Sequence, residues 1–347
     1  MRVRDYKVSY RDDIKIFQTV FIKSWMVTLL ILLCVLPFFF DIYFLHLAVL
    51  AGISIIGAHG INLTTGYCGQ ISIGHAGFVA IGAYSSALLC EKTGVPFLVA
   101  MPIAGLFASM GGLLVGVPSL RLRGLYIAVT TFAFGFIVEH FIVHLADLTG
   151  GAIGMDVSSA RIGSLEIDNE HRFYFLVLSL VILSTIYAKN ITRSRIGRAF
   201  IAIRDKDIAA RLLGVELTRY KLMAFALGAF YGGIAGSLYA HYIGFIGPEH
   251  FTLMLSIEYL VIIIMGGMGS IPGPIFGVMF LVVLNEFVRI CAGFIQAQYH
   301  LSNTIFGDIR IGVYALVIIF FLIYEADGVY GRWVTVKKYF LNWPFKN

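Results

Sequence analysis

The sequence predicts an all-α, polytopic membrane protein with about ten transmembrane helices, some of them broken at Gly-rich segments. Hydrophobic residues make up 59% of the 347 residues and charged residues only 13%, whereas soluble domains carry about a quarter charged residues. The mean hydropathy is +0.86. The basic residues cluster in a few segments, which indicates membrane topology. We therefore expect contact with membrane lipid and no nucleic-acid partner.

The apolar stretches give the number of helices. A helix needs about 20 apolar residues to cross a bilayer. Ten stretches meet or approach this length: 25–40, 43–61, 73–90, 96–117, 124–146, 173–188, 222–243, 255–270, 274–295 and 309–325. No small-residue cleavage pattern follows the first stretch, so we expect it to be an uncleaved transmembrane helix.

The distribution of Lys and Arg predicts the orientation. With the N-terminus in the cytoplasm, four inner segments hold 21 of the 26 basic residues: 1–24, 118–123, 189–221 and 326–347. The outer loop 147–172 is instead acidic. Because cytoplasmic loops are enriched in basic residues, we expect a cytoplasmic tail at 1–24, a transmembrane domain at 25–325 and a second cytoplasmic tail at 326–347.

The segment 189–221 is the longest water-soluble stretch between two predicted spans. It carries nine basic residues against three acidic ones. Its interior mixes apolar and charged residues as a surface helix does, and we expect one helix over 198–212. Two interpretations remain open: a solvated loop that only sets topology, or a docking platform for a cytosolic partner.

Two Gly-rich segments, 57–77 and 265–277, interrupt the hydrophobic pattern. Broken helices at membrane depth are tolerated only where the backbone lines a cavity or is buried in protein. Paired breaks in the two halves of a chain are typical of a transport path, although both segments could also be ordinary turns. The candidates for the path are Asn62, Gln70, Ser72 and His75 in the first segment, and Gly266 and Gly269 in the second.

A few polar groups lie within predicted spans. No Lys or Arg lies close to Glu258 in the sequence, and an intramembrane carboxylate is a functional candidate by default. An interhelical contact is the alternative. Glu286 and Arg289 are three positions apart on one helix face, so we expect a structural ion pair.

Other recurring residues favour structural roles. Gly228, Gly232 and Gly236 share a helix face and predict close helix packing. His140 and His144 also share a face and could bind a metal, but the sequence indicates no third ligand, so we expect none. The four cysteines are scattered without a disulfide or metal spacing.

The sequence contains none of the common catalytic motifs. A nucleotide-binding loop, a Gly-x-Ser-x-Gly elbow and a His-Glu-x-x-His motif are all missing. We therefore expect no catalytic residues, no cofactor and no enzymatic activity. If ATP drives transport, the ATPase is a separate polypeptide.

Several segments together resemble a known family. The stretch GYCGQISIGHAGFVAIGAYSSALL at 66–89 resembles the signature of branched-chain amino-acid ABC permeases. The segments 123–140, 203–241, 256–277 and 324–333 are similar to stretches of the LivM-type subunit of these importers, in the same order. The resemblance covers about 50–333, and residues 1–45 resemble nothing that we can name.

The resemblance implies a transport complex. Such importers combine this subunit with a LivH-type permease, two cytosolic ATPase subunits and a periplasmic or extracytoplasmic substrate-binding protein, in a bacterial inner membrane. Asp207, Ala209, Ala210 and Gly214 fall on the Glu-Ala-Ala…Gly pattern that seats the ATPase, with Asp in place of Glu. Arg204 and Arg211 would orient that contact by charge.

The implied function is the import of leucine, isoleucine and valine. Three alternatives remain open at this point. Urea and amide ABC permeases share the Gly-rich segments, although 123–140 favours the amino-acid branch. An ion-coupled secondary transporter would use Glu258 and Glu139, and an intramembrane enzyme would use His75.

Overall fold

The computed structural model describes residues 20–122, 124–162, 165–166, 169–299 and 328–342, with single residues and pairs between 312 and 323. The predicted tail 1–24 and the predicted tenth span 309–325 lie mostly outside the described residues. The helices are α1 (Val20–Val35), α2 (Ile42–Ile61), α3 (His75–Thr93), α4 (Phe97–Ser119), α5 (Leu125–His144), α6 (Ala146–Thr149), α7 (Glu170–Arg193), α8 (Arg195–Asp205), α9 (Asp207–Leu212), α10 (Leu217–Ile243), α11 (Leu253–Gly266), α12 (Pro272–Tyr299) and α13 (Gly328–Asn342).

The described residues confirm an α-helical, multi-pass membrane protein. Seven segments are long and apolar enough to cross a membrane: Ile42–Tyr67, Phe97–Ser119, Leu125–His144, Glu170–Arg193, Leu217–Ile243, Pro248–Gly266 and Pro272–Cys291. The predicted spans 25–40 and 73–90 correspond to α1, a shorter apolar helix, and to α3. Helix α3 is less apolar because its neighbours α4, α5, α10 and α11 replace lipid around much of it. The count of ten is therefore not confirmed.

Helix α10 is the centre of the bundle and lies against α2, α3 and α4. The predicted small-residue face makes this possible. A β-carbon at Gly228 would lie 2.0 Å from Thr64 Oγ1, and one at Gly236 would lie 1.9 Å from the carbonyl oxygen of Val79. Any larger side chain would push these helices apart, so the expectation of close packing is confirmed.

One end of the bundle, here called the acidic-loop end, carries residues 145–162, 165–166 and 244–252. Strand β1 (Met155–Asp156) pairs antiparallel with β4 (Phe245–Ile246), while β2 (Arg161–Ile162) pairs with β3 (Leu165–Glu166). The first pairing joins the loops before α7 and after α10. These two loops therefore lie on the same side of the bundle.

The opposite end, here called the basic-loop end, carries residues 194–216, which form the basic loop. The expected single helix over 198–212 is wrong, because Lys206 is extended (φ −156°, ψ 103°) and separates α8 from α9. Ser194 caps the N-terminus of helix α8, because its hydroxyl accepts a hydrogen bond from the N–H of Ile196 at 3.1 Å. Phe200 and Ile203 are buried in the core, so the loop is fixed to the bundle.

The expected ion pair in the ninth predicted span is confirmed. Arg289 donates hydrogen bonds from Nε and Nη2 to Glu286 Oε2 at 3.0 and 2.7 Å. The hydroxyl of Tyr43 donates to Glu286 Oε1 at 2.5 Å, which ties α12 to the start of α2. The pair therefore has a structural role, as its spacing predicts.

Candidate functional site

The first Gly-rich segment is an ordered, buried turn. Helix α2 ends at Ile61, and Asn62–Tyr67 continues as one π-helical turn before the chain runs to the start of α3. The hydroxyl of Thr65 donates to the carbonyl of Gln70 at 3.0 Å, and the N–H of Gln70 donates to the carbonyl of Thr64 at 3.0 Å. The freed backbone groups are therefore partly satisfied within the segment, as burial requires.

Two further hydrogen bonds fix this segment to neighbouring helices. The N–H of Ile73 donates to Thr131 Oγ1 of α5 at 2.9 Å. The N–H of Ala76 donates to Ser256 Oγ of α11 at 2.9 Å. Both donors belong to the free N–H groups around the start of α3, which have no partner within that helix. The segment therefore contacts both halves of the chain.

Asn62 joins the two Gly-rich segments directly. Its Nδ2 donates to the carbonyl of Ser270 at 2.8 Å, and its Oδ1 accepts from the N–H of Gly269 at 2.9 Å. The side-chain amide of Asn62 can donate and accept at the same time, so one residue bonds both a carbonyl and an N–H of the second segment. The side chain is buried, so water does not compete for these bonds.

The second Gly-rich segment depends on left-handed backbone. Gly267 has φ 114° and Gly269 has φ 72°, conformations that L side chains rarely adopt. The hydroxyl of Ser270 donates to the carbonyl of Gly267 at 2.8 Å and accepts from the N–H of Gly273 at 3.0 Å. These bonds complete a tight turn between α11 and α12.

Arg204 of the basic loop touches both segments. Its Nη1 donates to the carbonyl of Gly66 at 3.0 Å, and its Nε donates to Asp205 Oδ1 at 3.3 Å. A β-carbon at Gly269 would lie 2.5 Å from the same Nη1. The loop and the two Gly-rich segments therefore meet at one place, which we call the junction: Asn62, Gly66, Arg204, Gly269 and Ser270.

The other predicted path residues differ in their surroundings. His75 is buried and its Nε2 donates to the carbonyl of Gly57 at 3.0 Å. Gln70 and Ser72 are also buried, and Gln70 Oε1 and Ser72 Oγ have no hydrogen-bond partner among the described residues. The side chain of Glu258 is exposed on the surface of α11. The structure therefore does not bring Glu258 to the junction.

The predicted docking residues divide into exposed and buried ones. Ala209, Arg211 and Gly214 are exposed, and Asp207 is half-buried. Ala210 is only 2% exposed and packs in the hydrophobic core. The small side chain lets α9 approach its own bundle, and the docking role of Ala210 stays a prediction.

Sequence reasoning missed three apolar residues of the basic loop. Ile208, Leu212 and Leu213 are exposed, the last two by 83% each. Ile208 and Leu212 are four positions apart on α9 and so share a face. The signal was present in the sequence, because apolar residues at this spacing on a charged loop indicate a contact surface.

The comparisons with known proteins agree on one family. A family model described as the permease component of branched-chain amino acid transport systems matches residues 43–326. The LivM permease protein of Escherichia coli K12, from a high-affinity branched-chain amino acid transport system, is 38% identical over 291 residues. That match covers 77% of this chain and 68% of LivM.

Two further relatives are more distant. The BraD permease protein of Pseudomonas aeruginosa is 25% identical over 312 residues, which cover 79% of this chain and 90% of BraD. The LivH permease protein of Salmonella typhimurium is 28% identical over 177 residues, which cover 51% of this chain and 52% of LivH. No solved structure matches the chain. The family match spans both Gly-rich segments and the basic loop, and the chain belongs to the family of branched-chain amino acid transport system permease components.

Proposed function

We propose that this chain is the LivM-type permease subunit of an ABC importer that carries leucine, isoleucine and valine across a bacterial inner membrane. The observation that carries the proposal is the family match over residues 43–326. It includes the junction, where a water-facing loop contacts both Gly-rich segments. The chain itself performs no chemistry in this proposal.

The proposed complex contains three other kinds of component. Two cytosolic ATPase subunits supply energy, and an extracytoplasmic binding protein delivers the amino acid. The partial similarity to LivH supports a second, LivH-type permease as the partner that completes the path. The ten-span topology, both tails in the cytoplasm and the basic loop on the cytoplasmic side belong to the same proposal, and the distribution of Lys and Arg supports them.

The proposed coupling runs through the junction. ATP binding would move the basic loop together with the helices against which Phe200 and Ile203 pack, as one rigid body. Arg204 would pass this displacement to Gly66 of the first Gly-rich segment, and Asn62 would pass it to the second. The two segments would then open or close the cytoplasmic end of the path together.

This mechanism assigns roles to the predicted path residues. Asn62, Gln70, Ser72, His75, Gly266 and Gly269 would shape the gate through backbone position and hydrogen bonds. Glu258 faces outward from this chain, so we propose that it meets the second permease or lipid. This position gives no support to ion coupling through Glu258, since a proton relay needs groups that face a cavity or the bundle interior.

The proposed ATPase contact is the exposed part of the basic loop. Ile208, Leu212 and Leu213 would enter an apolar groove of the ATPase, because removing exposed apolar side chains from water is favourable and such patches mark interaction sites. Arg204, Asp207, Ala209, Arg211 and Gly214 would surround this centre. Ala210 would not touch the ATPase but would hold α9 against the bundle, and so keep the exposed face of α9 in position.

Reconstituted transport tests the proposal. The purified importer, with both permeases, the ATPases and the binding protein, is placed in vesicles whose lumen contains ATP. We expect radiolabelled leucine that is added outside to accumulate in the lumen, and no accumulation when the lumen lacks ATP. Uptake of urea in place of leucine would assign an amide permease. Leucine uptake without ATP that collapses with the proton gradient would assign a secondary transporter.

A further inference from the structure

Helix α13 lies against the start of α12, at the basic-loop end of the bundle. The ring centroid of Phe276 lies 6.1 Å from that of Tyr330 and 6.5 Å from that of Trp333. Phe276 is the fifth residue of α12, so it lies about 6 Å along the axis from the beginning of that span. The contact therefore holds α13 at the depth where α12 enters the membrane.

Helix α13 is too short to cross a bilayer. Its 15 residues extend over about 22 Å, whereas the hydrocarbon core is about 30 Å thick. Trp333, Val336 and Tyr339 follow one another at intervals of three positions and so share one side of the helix. Their exposed fractions are 54%, 46% and 58%. Such an apolar face on a short helix is typical of helices that lie in the plane of the membrane surface.

The charge of α13 fits the same surface. Its sequence contains Arg332, Lys337 and Lys338 and no acidic residue. Lys337 is exposed and follows Trp333 by four positions, so it lies beside the apolar face. Trp and Tyr are enriched at the depth of the lipid headgroups, and basic residues are attracted to anionic lipids there. The face therefore matches a bilayer that contains anionic phospholipid.

The first residue of α13 touches the second Gly-rich segment. Gly328 is buried and has φ 65°. A β-carbon at this position would lie 2.6 Å from the backbone nitrogen of Gly267 and 2.7 Å from the carbonyl oxygen of Met265. Glycine alone allows both this backbone conformation and this approach. Any displacement of α13 therefore acts directly on the backbone of the second Gly-rich segment.

We propose that α13 binds anionic phospholipid headgroups of the cytoplasmic leaflet and thereby holds the second Gly-rich segment in place for coupling. Trp333, Val336 and Tyr339 enter the headgroup region, and Lys337 pairs with phosphate oxygens. Lipid is the occupant because the face lies beside the start of a span, where the bilayer is always present. The link to coupling rests on the proposed function, whereas the lipid contact can be measured without transport.

Fluorescence quenching in the complete importer tests the lipid contact. Val336→Cys, in a Cys34→Ala background, carries an environment-sensitive fluorophore, and the background without the new cysteine gives the blank. The vesicles are phosphatidylcholine with either brominated phosphatidylglycerol or brominated phosphatidylcholine, and we expect stronger quenching by the former. Each charge near the surface changes binding about 5-fold. Lys337→Glu changes two charges, so about 10-fold more phosphatidylglycerol or more should be needed for equal quenching.

Two further variants separate lipid binding from coupling. Lys92→Glu makes the same charge reversal at an exposed lysine in the last turn of α3, and it should behave as the wild type does. Leucine imported per ATP hydrolysed should rise with phosphatidylglycerol in the wild type and not in Lys337→Glu. Gly328→Ala should retain quenching by brominated phosphatidylglycerol but lose this rise, because the added methyl group pushes α13 away from Gly267.

Four results decide against parts of this account. Equal quenching by the two brominated lipids, or an unchanged lipid requirement in Lys337→Glu, overturns the lipid contact. Loss of the ATPase from Lys337→Glu on co-purification shows that α13 meets an acidic surface of the ATPase instead. A constant ratio of leucine to ATP in all vesicles overturns the link to coupling. Selective quenching in a wild type that imports no leucine supports the lipid contact and overturns the proposed function.

Discussion

Arg204 Nη1 donates a hydrogen bond to the carbonyl oxygen of Gly66 at 3.0 Å, across 138 positions of sequence. One residue belongs to the water-facing basic loop and the other to a buried π-helical turn. The carbonyl oxygen of such an irregular turn is free to accept, because regular helical bonding stops there. Arg204 is therefore placed to transmit movement of the loop, in addition to any contact with a partner.

Replacement of Arg204 by alanine should uncouple transport from ATP hydrolysis. A hydrogen bond from a charged group contributes about 1.5–3 kcal/mol, so its loss should free the first Gly-rich segment from the loop. We expect leucine uptake to fall about 10-fold or more, while the ATPase still co-purifies. Uptake and ATP hydrolysis are measured together in vesicles, with and without binding protein.

Arg198→Ala is the matched control for this prediction. Arg198 lies on the same helix α8 and is exposed, and among the described residues its side chain bonds to the nearby carbonyl of Arg193, at 3.3 Å. Its removal should leave uptake close to that of the wild type. Equal effects of the two substitutions would mean that loop charge, and not the bond to Gly66, determines transport.

Two glycines with the same backbone conformation allow a second prediction. Gly269 has φ 72° and Gly94 has φ 67°, and alanine in the left-handed region costs about 1–2 kcal/mol. A β-carbon at Gly94 would meet no described residue within 4 Å, whereas one at Gly269 would lie 2.5 Å from Arg204 Nη1 and 3.0 Å from the carbonyl of Gly66. Gly269→Ala should therefore be the more damaging change.

Thermal unfolding in detergent and leucine uptake measure the difference. Gly94→Ala should lower the free energy of unfolding by the backbone cost alone and retain uptake. Gly269→Ala should lower it further and abolish most uptake, because the guanidinium group must leave Gly66. Similar unfolding and uptake for both variants would show that the second Gly-rich segment is only a turn.

Much of this arrangement could be predicted from the sequence, for physical reasons. Apolar periodicity and the lack of charge identify spans, and broken patterns identify the two Gly-rich segments. The contact of Asn62 with Ser270 could not be predicted, since it joins positions 208 residues apart. The burial of Ala210 could not be predicted from the sequence either, because an alanine fits a docking surface and a core equally well.

Accessibility to a membrane-impermeant thiol reagent tests the orientation of the two ends. Ile153 at the acidic-loop end is 87% exposed, and Lys206 of the basic loop is exposed as well. Cysteine is introduced at either position after Cys34, an exposed native cysteine, is replaced by alanine. We expect labelling at position 153 in intact cells and at position 206 only after lysis. The reverse result would invert the proposed topology.

The last prediction concerns the apolar centre of the basic loop. Leu212→Asp should separate the permease from its ATPase, because a carboxylate in an apolar groove loses its hydration. Loss of an anchor costs about 2 kcal/mol or more, which weakens the contact about 30-fold. The fold should persist, since the leucine side chain packs little against its own chain. Ile153→Asp makes the same change at the opposite end and should retain both ATPase and uptake. Co-purification in detergent is scored beside leucine uptake, and a Leu212→Asp variant that retains the ATPase would exclude this surface as the docking site.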